Sequence, residues 1–93
     1  MVVAVLKISL SIPQADSLKD KRRVLKSVKD KLRNRYNISV AEIGDQDIWK
    51  TARLGVAVIS TDSGYANGVI SKVQDFCGNL RDAIMTDCEL EWR

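Results

Sequence analysis

Nine of the fifteen basic residues fall within seventeen consecutive positions: Lys19, Lys21, Arg22, Arg23, Lys26, Lys29, Lys31, Arg33 and Arg35. Only Asp20 and Asp30 oppose them, so this segment carries +7; the whole chain carries +3, which leaves −4 for the remainder. At about 100° per residue, Lys19, Arg22, Lys26, Lys29 and Arg33 fall within an ~80° ribbon of a helix, with Asp20 and Asp30 on a different side. Such a ribbon suits a phosphate backbone, bound with strong salt dependence. No aromatic residue interleaves the cations, so shape and phosphate recognition is expected rather than base readout. The arrangement is costly for a helix. Lys19–Arg23, Arg22–Lys26, Lys29–Arg33 and Lys31–Arg35 are like-charge i,i+4 pairs worth about 0.2–0.5 kcal/mol of repulsion each. Cations in the first turn also oppose the helix dipole. Two alternatives stand beside the RNA reading: a solvated face, since Lys and Arg form helices well, and a dock for an acidic protein.

Other residues invite weaker readings. Lys21 falls at the centre of the apolar stripe, where it either snorkels its stem or pairs with an acid such as Glu42. Glu42, Asp45 and Asp47 could hold a hard cation or exchange protons, although turn and capping chemistry accounts for both aspartates. Trp49 either stacks a base or closes a core edge. Cys77 and Cys88 lie in the apolar phase of their elements and read as buried thiols. Histidine is absent. Proton transfer near neutral pH would therefore need a strongly shifted carboxylate or lysine, and no catalysis is expected. No metal-ligand spacing and no cofactor motif occurs.

The elements that position these residues follow from periodicity. Val2 to Ile12 alternates and reads as a strand, stopped by Pro13. Leu18, Leu25, Val28, Leu32 and Tyr36 recur at helical spacing over 17–36, with Ser17 as N-cap and Asn37 as a left-handed terminator. Ile38 to Ile43 reads as a second strand. Asp47 is expected to cap a short helical turn through Ala52, and Leu54 to Thr61 a third strand. Asp62-Ser63-Gly64 opens a second helix, with Ala66, Val69, Ile70, Val73, Phe76, Cys77 and Leu80 inward and a frayed end at Gly78-Asn79. Ala83 to Trp92 alternates as a fourth strand, Ile84, Thr86, Cys88, Leu90 and Trp92 on one face and Met85, Asp87, Glu89 and Glu91 on the other.

The order βαββαβ with right-handed crossovers predicts an α+β ferredoxin-like sandwich: a four-stranded antiparallel sheet, order 4-1-3-2, with both helices on one face. The 93 residues suit a single domain, 1–93, and the 45% hydrophobic and 29% charged content suits a globular one. No apolar run long enough for a transmembrane helix and no signal peptide is apparent, and two cysteines without ligand spacing suit a reducing cytoplasm. Several functions of this fold lack their residues. Ile12 to Ser17 holds neither the Cys-x-x-Cys of metal chaperones nor the arginine-bearing glycine cradle of acylphosphatases. Strands one and three offer Lys7, Ser9, Ala57 and Ile59 where RNA recognition motifs place stacking aromatics. Val3, Val5, Ala57, Ile59 and Met85, with Ala41 and Ile43, are expected on the open sheet face, and a half-apolar open face suits a homodimer.

The run Ser17-Leu18-Lys19-Asp20-Lys21-Arg22-Arg23 after a proline-ended strand resembles the YlxP-like family, a bacterial domain of unknown function. The resemblance continues through Val40-Ala41-Glu42, Gln46-Asp47-Ile48-Trp49 and Leu54 to Val58, and covers essentially the whole chain. The second helix and last strand match only as a pattern. The resemblance implies a small ferredoxin-like cytoplasmic protein, and, from the translation and ribosome-maturation genes that neighbour the family's own, ribosomal RNA or a ribosomal particle as partner. It supplies no activity and no catalytic residue. The expectation is thus a non-enzymatic RNA-binding accessory factor whose Lys19, Lys21, Arg22, Arg23, Lys26, Lys29 and Arg33 contact phosphates, with Glu42 and Trp49 as a candidate site beside Lys21. The alternative is a homodimeric protein–protein module that docks an acidic partner.

Overall fold

The computed structural model describes residues 1–93. The strands are β1 Val2–Ser11, β2 Ser39–Gly44, β3 Thr51–Ser60 and β4 Ile84–Trp92; the helices are α1 Leu18–Arg35 and α2 Ser63–Gly78. The sheet order is β2-β3-β1-β4 with every neighbouring pair antiparallel, the topology expected from the sequence. Alternation makes one sheet face apolar. Ala4, Leu6, Ile8 and Leu10 of β1 and Ala52, Leu54, Val56 and Val58 of β3 are buried under the helices. Leu25, Val28 and Leu32 of α1 and Ala66, Ile70, Val73 and Cys77 of α2 complete the core.

Local chemistry sets the helix ends. The Ser17 hydroxyl accepts from the Asp20 N–H at 3.1 Å, and the Asp20 carboxylate in turn accepts from the Asp16 N–H at 3.1 Å. Both bonds satisfy donors that have no helical partner. Asp62 caps α2 through the Tyr65 N–H at 2.9 Å.

Four expectations are corrected. Residues 48–52 do not form a helical turn: Thr51 and Ala52 already belong to β3, because Ala52 in this register fills the core opposite Leu10. Asn37 does not terminate α1 in the left-handed region; Tyr36 ends it in an extended conformation, and Asp45 is the one non-glycine residue with positive φ. The end of α2 is not frayed, since the Asn79 side-chain amide donates to the Asp75 carbonyl at 2.7 Å. The alternation of β4 breaks. Ser9 pairs with Asp87 but Leu10 with Met85, so Thr86 is an extra residue. A bulge of one residue exchanges the faces of everything before it. Met85 therefore packs against the core and Ile84 is exposed, the reverse of the simple pattern.

A second irregularity makes Ile43 the extra residue of β2. It leans over Gly55, where a Cβ would stand 2.9 Å from the Ile43 Cγ2, so β3 needs a glycine there.

Candidate nucleic-acid interface

The apolar stripe of α1 faces the sheet, and its two flanks meet different neighbours. On one flank, Arg35 lies over the ring of Phe76 in α2, 5.0 Å from the centroid. On the other flank, the Arg33 guanidinium donates to the Val40 carbonyl of edge strand β2 at 2.9 Å. Lys19, Arg22, Lys26 and Lys29 share that second flank by helical phase. The ribbon therefore runs along the β2 edge, about 21 Å from Lys19 to Arg33 at 1.5 Å per residue.

Within the ribbon the charges are unequally free. Lys19, Arg22 and Lys29 make no ion pair within the chain. Lys26 bonds Asp30 at 2.7 Å, and Arg33 lies 3.8 Å from the other Asp30 oxygen. Asp30 thus borders the ribbon, contrary to the expectation that it sits apart, because i,i+3 and i,i+4 side chains reach each other. The hydrogen bond from Lys26, with the nearby charges of Lys26, Arg33 and Lys29, holds the Asp30 carboxyl below the usual carboxylate range. Arg23 lies off the ribbon, exposed, 3.5 Å from Asp20.

Lys21 is the main correction to the expected phosphate contacts. Its side chain is only 1% exposed, so it reaches no external phosphate. Its Nζ stands 3.1 Å from Glu42 Oε2 and donates to the carbonyl of Asp45. The 3.1 Å approach does not satisfy hydrogen-bond geometry, and Glu42 Oε2 is buried without any hydrogen bond. The pair is therefore held by charge. It joins the first turn of α1 to the end of β2, and explains how a lysine can occupy an apolar stripe.

The β2–β3 turn is braced further. Lys50 donates to the carbonyls of Pro13 and Ala15 at 2.7 and 3.0 Å, and its own carbonyl accepts from Ile12 N–H at 2.7 Å. The Thr51 hydroxyl donates to the Asp45 carboxylate at 3.0 Å. The braces at Lys50 and Thr51 have no signal in the sequence, where both residues read as part of a helical turn. Trp49 and Ile48 are each 50% exposed on this turn, and neither is one of the buried core residues. Lys21, Glu42 and the turn bearing Trp49 do come together, whereas the acids Glu42, Asp45 and Asp47 form no metal-ligating group.

The opposite sheet face presents Val3, Val5, Ala41, Ile43, Ala57 and Ile59, the last 63% exposed. Asp87, Glu89 and Glu91 edge it along β4, and Lys7 pairs with Glu91 at 2.9 Å. No helix is long and apolar enough to cross a membrane.

The comparisons agree on fold and family. A de novo designed protein with a ferredoxin fold, solved by solution NMR, superposes with a TM-score of 0.54 at 16% identity, over 100% of this chain and 84% of its own. The de novo designed protein Ferredog-Diesel gives a TM-score of 0.52 at 10% identity, over 96% and 83%. Among natural sequences, the uncharacterized protein YlxP of Bacillus subtilis (strain 168) is 33% identical over 81 residues, which are 87% of this chain and 88% of that protein. The family described as protein of unknown function (DUF503) matches residues 3–90, and with this extent of agreement the chain belongs to it.

Proposed function

We propose that this protein is a non-enzymatic RNA-binding factor that grips the phosphate backbone with the β2-side flank of α1. The observation that carries the reading is the set Lys19, Arg22 and Lys29: three aligned cations with no ion-pair partner in the chain, on the flank that borders edge strand β2. With Lys26 and Arg33, and less Asp30, the ribbon offers a net of about four charges, which gives a log–log salt slope of about −3 to −4. Free thiols at Cys77 and Cys88 suit a reducing cytoplasm. The family resemblance makes ribosomal RNA and ribosomal particles the first ligands to offer.

The test is fluorescence anisotropy with duplex RNA from about 50 to 300 mM salt, on wild type and on Lys19→Glu/Arg22→Glu. Glutamate at position 19 lies in the first helical turn, where an acid favours the helix dipole, so this variant keeps its fold while it cancels the ribbon's net charge. The expected result is loss of binding and a flatter slope. Equal binding by the variant would refute the reading.

A second reading concerns the open sheet face, where six apolar side chains lie unpartnered. Four strands about 4.8 Å apart and up to ~33 Å long offer about 600 Å² of projected area, near the ~800 Å² of accessible surface per partner of a standard interface. Arg53, on that face without an ion-pair partner, can meet the acidic β4 edge of a second copy. This supports a homodimer through the sheet, a form in which the basic helix stays outward for an acidic partner or RNA. Sedimentation of wild type and Ile59→Glu tests it: a dimer converted to monomer is expected, and a monomeric wild type at ~100 μM would sink it.

A further inference from the structure

We propose that Trp49 is a stacking platform for an unpaired RNA base, so that the ligand is an RNA in which a duplex meets a loop or a single-stranded end. The proposal rests on the phosphate-binding reading of α1 and adds a second contact of different chemistry.

The placement is what argues for it. The turn that bears Trp49 closes the end of β2 and is tied by Lys21 to the first turn of α1, where Lys19 and Arg22 begin the ribbon. The aromatic ring and the start of the phosphate track therefore occupy one corner of the molecule. The turn is also pinned from three sides: by Lys21 at the Asp45 carbonyl, by Lys50 at Pro13 and Ala15, and by Thr51 at the Asp45 carboxylate. A platform held this way loses little freedom when a base lands on it, which is the condition for a contact to add affinity. Neither Trp49 nor Ile48 is a buried core residue; both stand half in water on a polar turn, with half of the indole surface open to a ligand.

The chemistry fits an unpaired base and not a paired one. Every base presents a π-face, and stacking on tryptophan needs that face free; inside an A-form duplex both faces are covered by neighbouring bases, and only the terminal pairs leave one open. A ribbon of cations reads either form through its phosphates. A protein with both contacts therefore prefers a junction over a blunt duplex, without preference for sequence.

The experiment uses Trp92→Phe protein, which leaves Trp49 as the sole tryptophan of the two in the chain. Trp92 ends β4, at the opposite end of the sheet from the β2–β3 turn. Two RNAs share one stem: one is blunt, one carries a single-stranded adenosine tail. Quenching of Trp49 emission by the tailed RNA but not the blunt one is expected. Trp49→Ala should weaken tailed-RNA binding roughly 5- to 150-fold, the usual range for one stacked base, and leave blunt-RNA binding unchanged. Trp49→Phe should restore part of the loss, and unchanged melting temperatures show that the fold is intact. Equal losses on the two RNAs, or no loss, would overturn the platform. So would a change in sedimentation of Trp49→Ala, which assigns the ring to a contact between two copies. If Trp49→Ala is harmless while Lys19→Glu/Arg22→Glu abolishes binding, the phosphate reading stands and this one fails. If wild type binds neither RNA at 50 mM salt, both fail.

Discussion

Replacing Lys21 separates a fold-holding lysine from an RNA-holding one. Lys21→Met keeps the length of the stem and most of its volume, so no large cavity opens. It removes the ammonium 3.1 Å from Glu42 Oε2 and the donor to the Asp45 carbonyl. At an effective dielectric constant of about 20 the lost attraction is about 5 kcal/mol before desolvation is counted. Removing one partner of a buried pair costs about 3–5 kcal/mol, because the other charge stays behind. Glu42 Oε2 is buried and has no hydrogen bond to fall back on, but its side chain is 21% exposed and can draw in water. The lower end, about 3 kcal/mol, is therefore expected. For a domain this small that is a fall of about 12–24 °C in melting temperature. Lys21→Met/Glu42→Leu removes both charges and should recover most of the loss, as apolar replacement of a whole buried pair is commonly near neutral. Urea unfolding of wild type, the two singles and the double measures the coupling. Binding of a blunt duplex RNA, which does not use Trp49, should at 10 °C, where all four remain folded, be the same for Lys21→Met as for wild type. A stability loss under about 1 kcal/mol would refute the ion-pair argument. An affinity loss as large as that of Lys19→Glu/Arg22→Glu would refute the claim that Lys21 is out of a phosphate's reach.

Two further outcomes follow from the charge and thiol environments. Asp30→Asn frees Lys26 and Arg33 and removes one negative charge from the ribbon border, so duplex RNA should bind more tightly at low salt, with the log–log slope steeper by about 0.9; an unchanged slope would place the ligand elsewhere. Burial, with the nearby Cys88 thiol, pushes the Cys77 thiol from 9.0 up to about 11. A raised value means that the native state favours the proton. The stability from this thiol is complete below about pH 9 and is lost as pH rises through about 11, a difference of about 2–3 kcal/mol at most. Wild type should therefore lose stability relative to Cys77→Ala across that window, and parallel curves would contradict it.

The fold was legible because its long elements are strictly periodic. Val2 to Ile12 alternates without a fault, and α1 and α2 keep their apolar stripes for four turns or more, so the crossover rules leave one topology. What escaped the sequence was set by single residues acting at a distance. Thr86 shifts β4 by one position, yet an extra residue on a strand looks like any other until its partner strand is known. Residues 45–52 are polar enough to be read as a capped turn, and only the demand for a small side chain opposite Leu10 makes Ala52 a strand residue. The cationic ribbon was legible from helical phase alone. Which of its charges are free was not, since Asp30 lies only a few tens of degrees from the edge and long side chains bend toward it.

Lys21 shows how the two parts of the candidate site depend on each other. A lysine in an apolar stripe is a poor choice for stability, since a leucine there would bury well and need no partner. Its one distinctive consequence is geometric: the ammonium selects the conformation in which the Asp45 carbonyl turns toward α1. That conformation places Asp45 at φ 59, in the left-handed region an aspartate tolerates. It sets the turn against the start of the ribbon. Buried charge pairs are best attested as devices that fix register rather than as sources of stability. A leucine would leave the sheet and helix intact and the turn braced only through Lys50 and Thr51, with no tie to α1, and Trp49 would then be held less firmly beside Lys19 and Arg22. The buried cation is what makes a flat ring and a row of exposed cations a single surface.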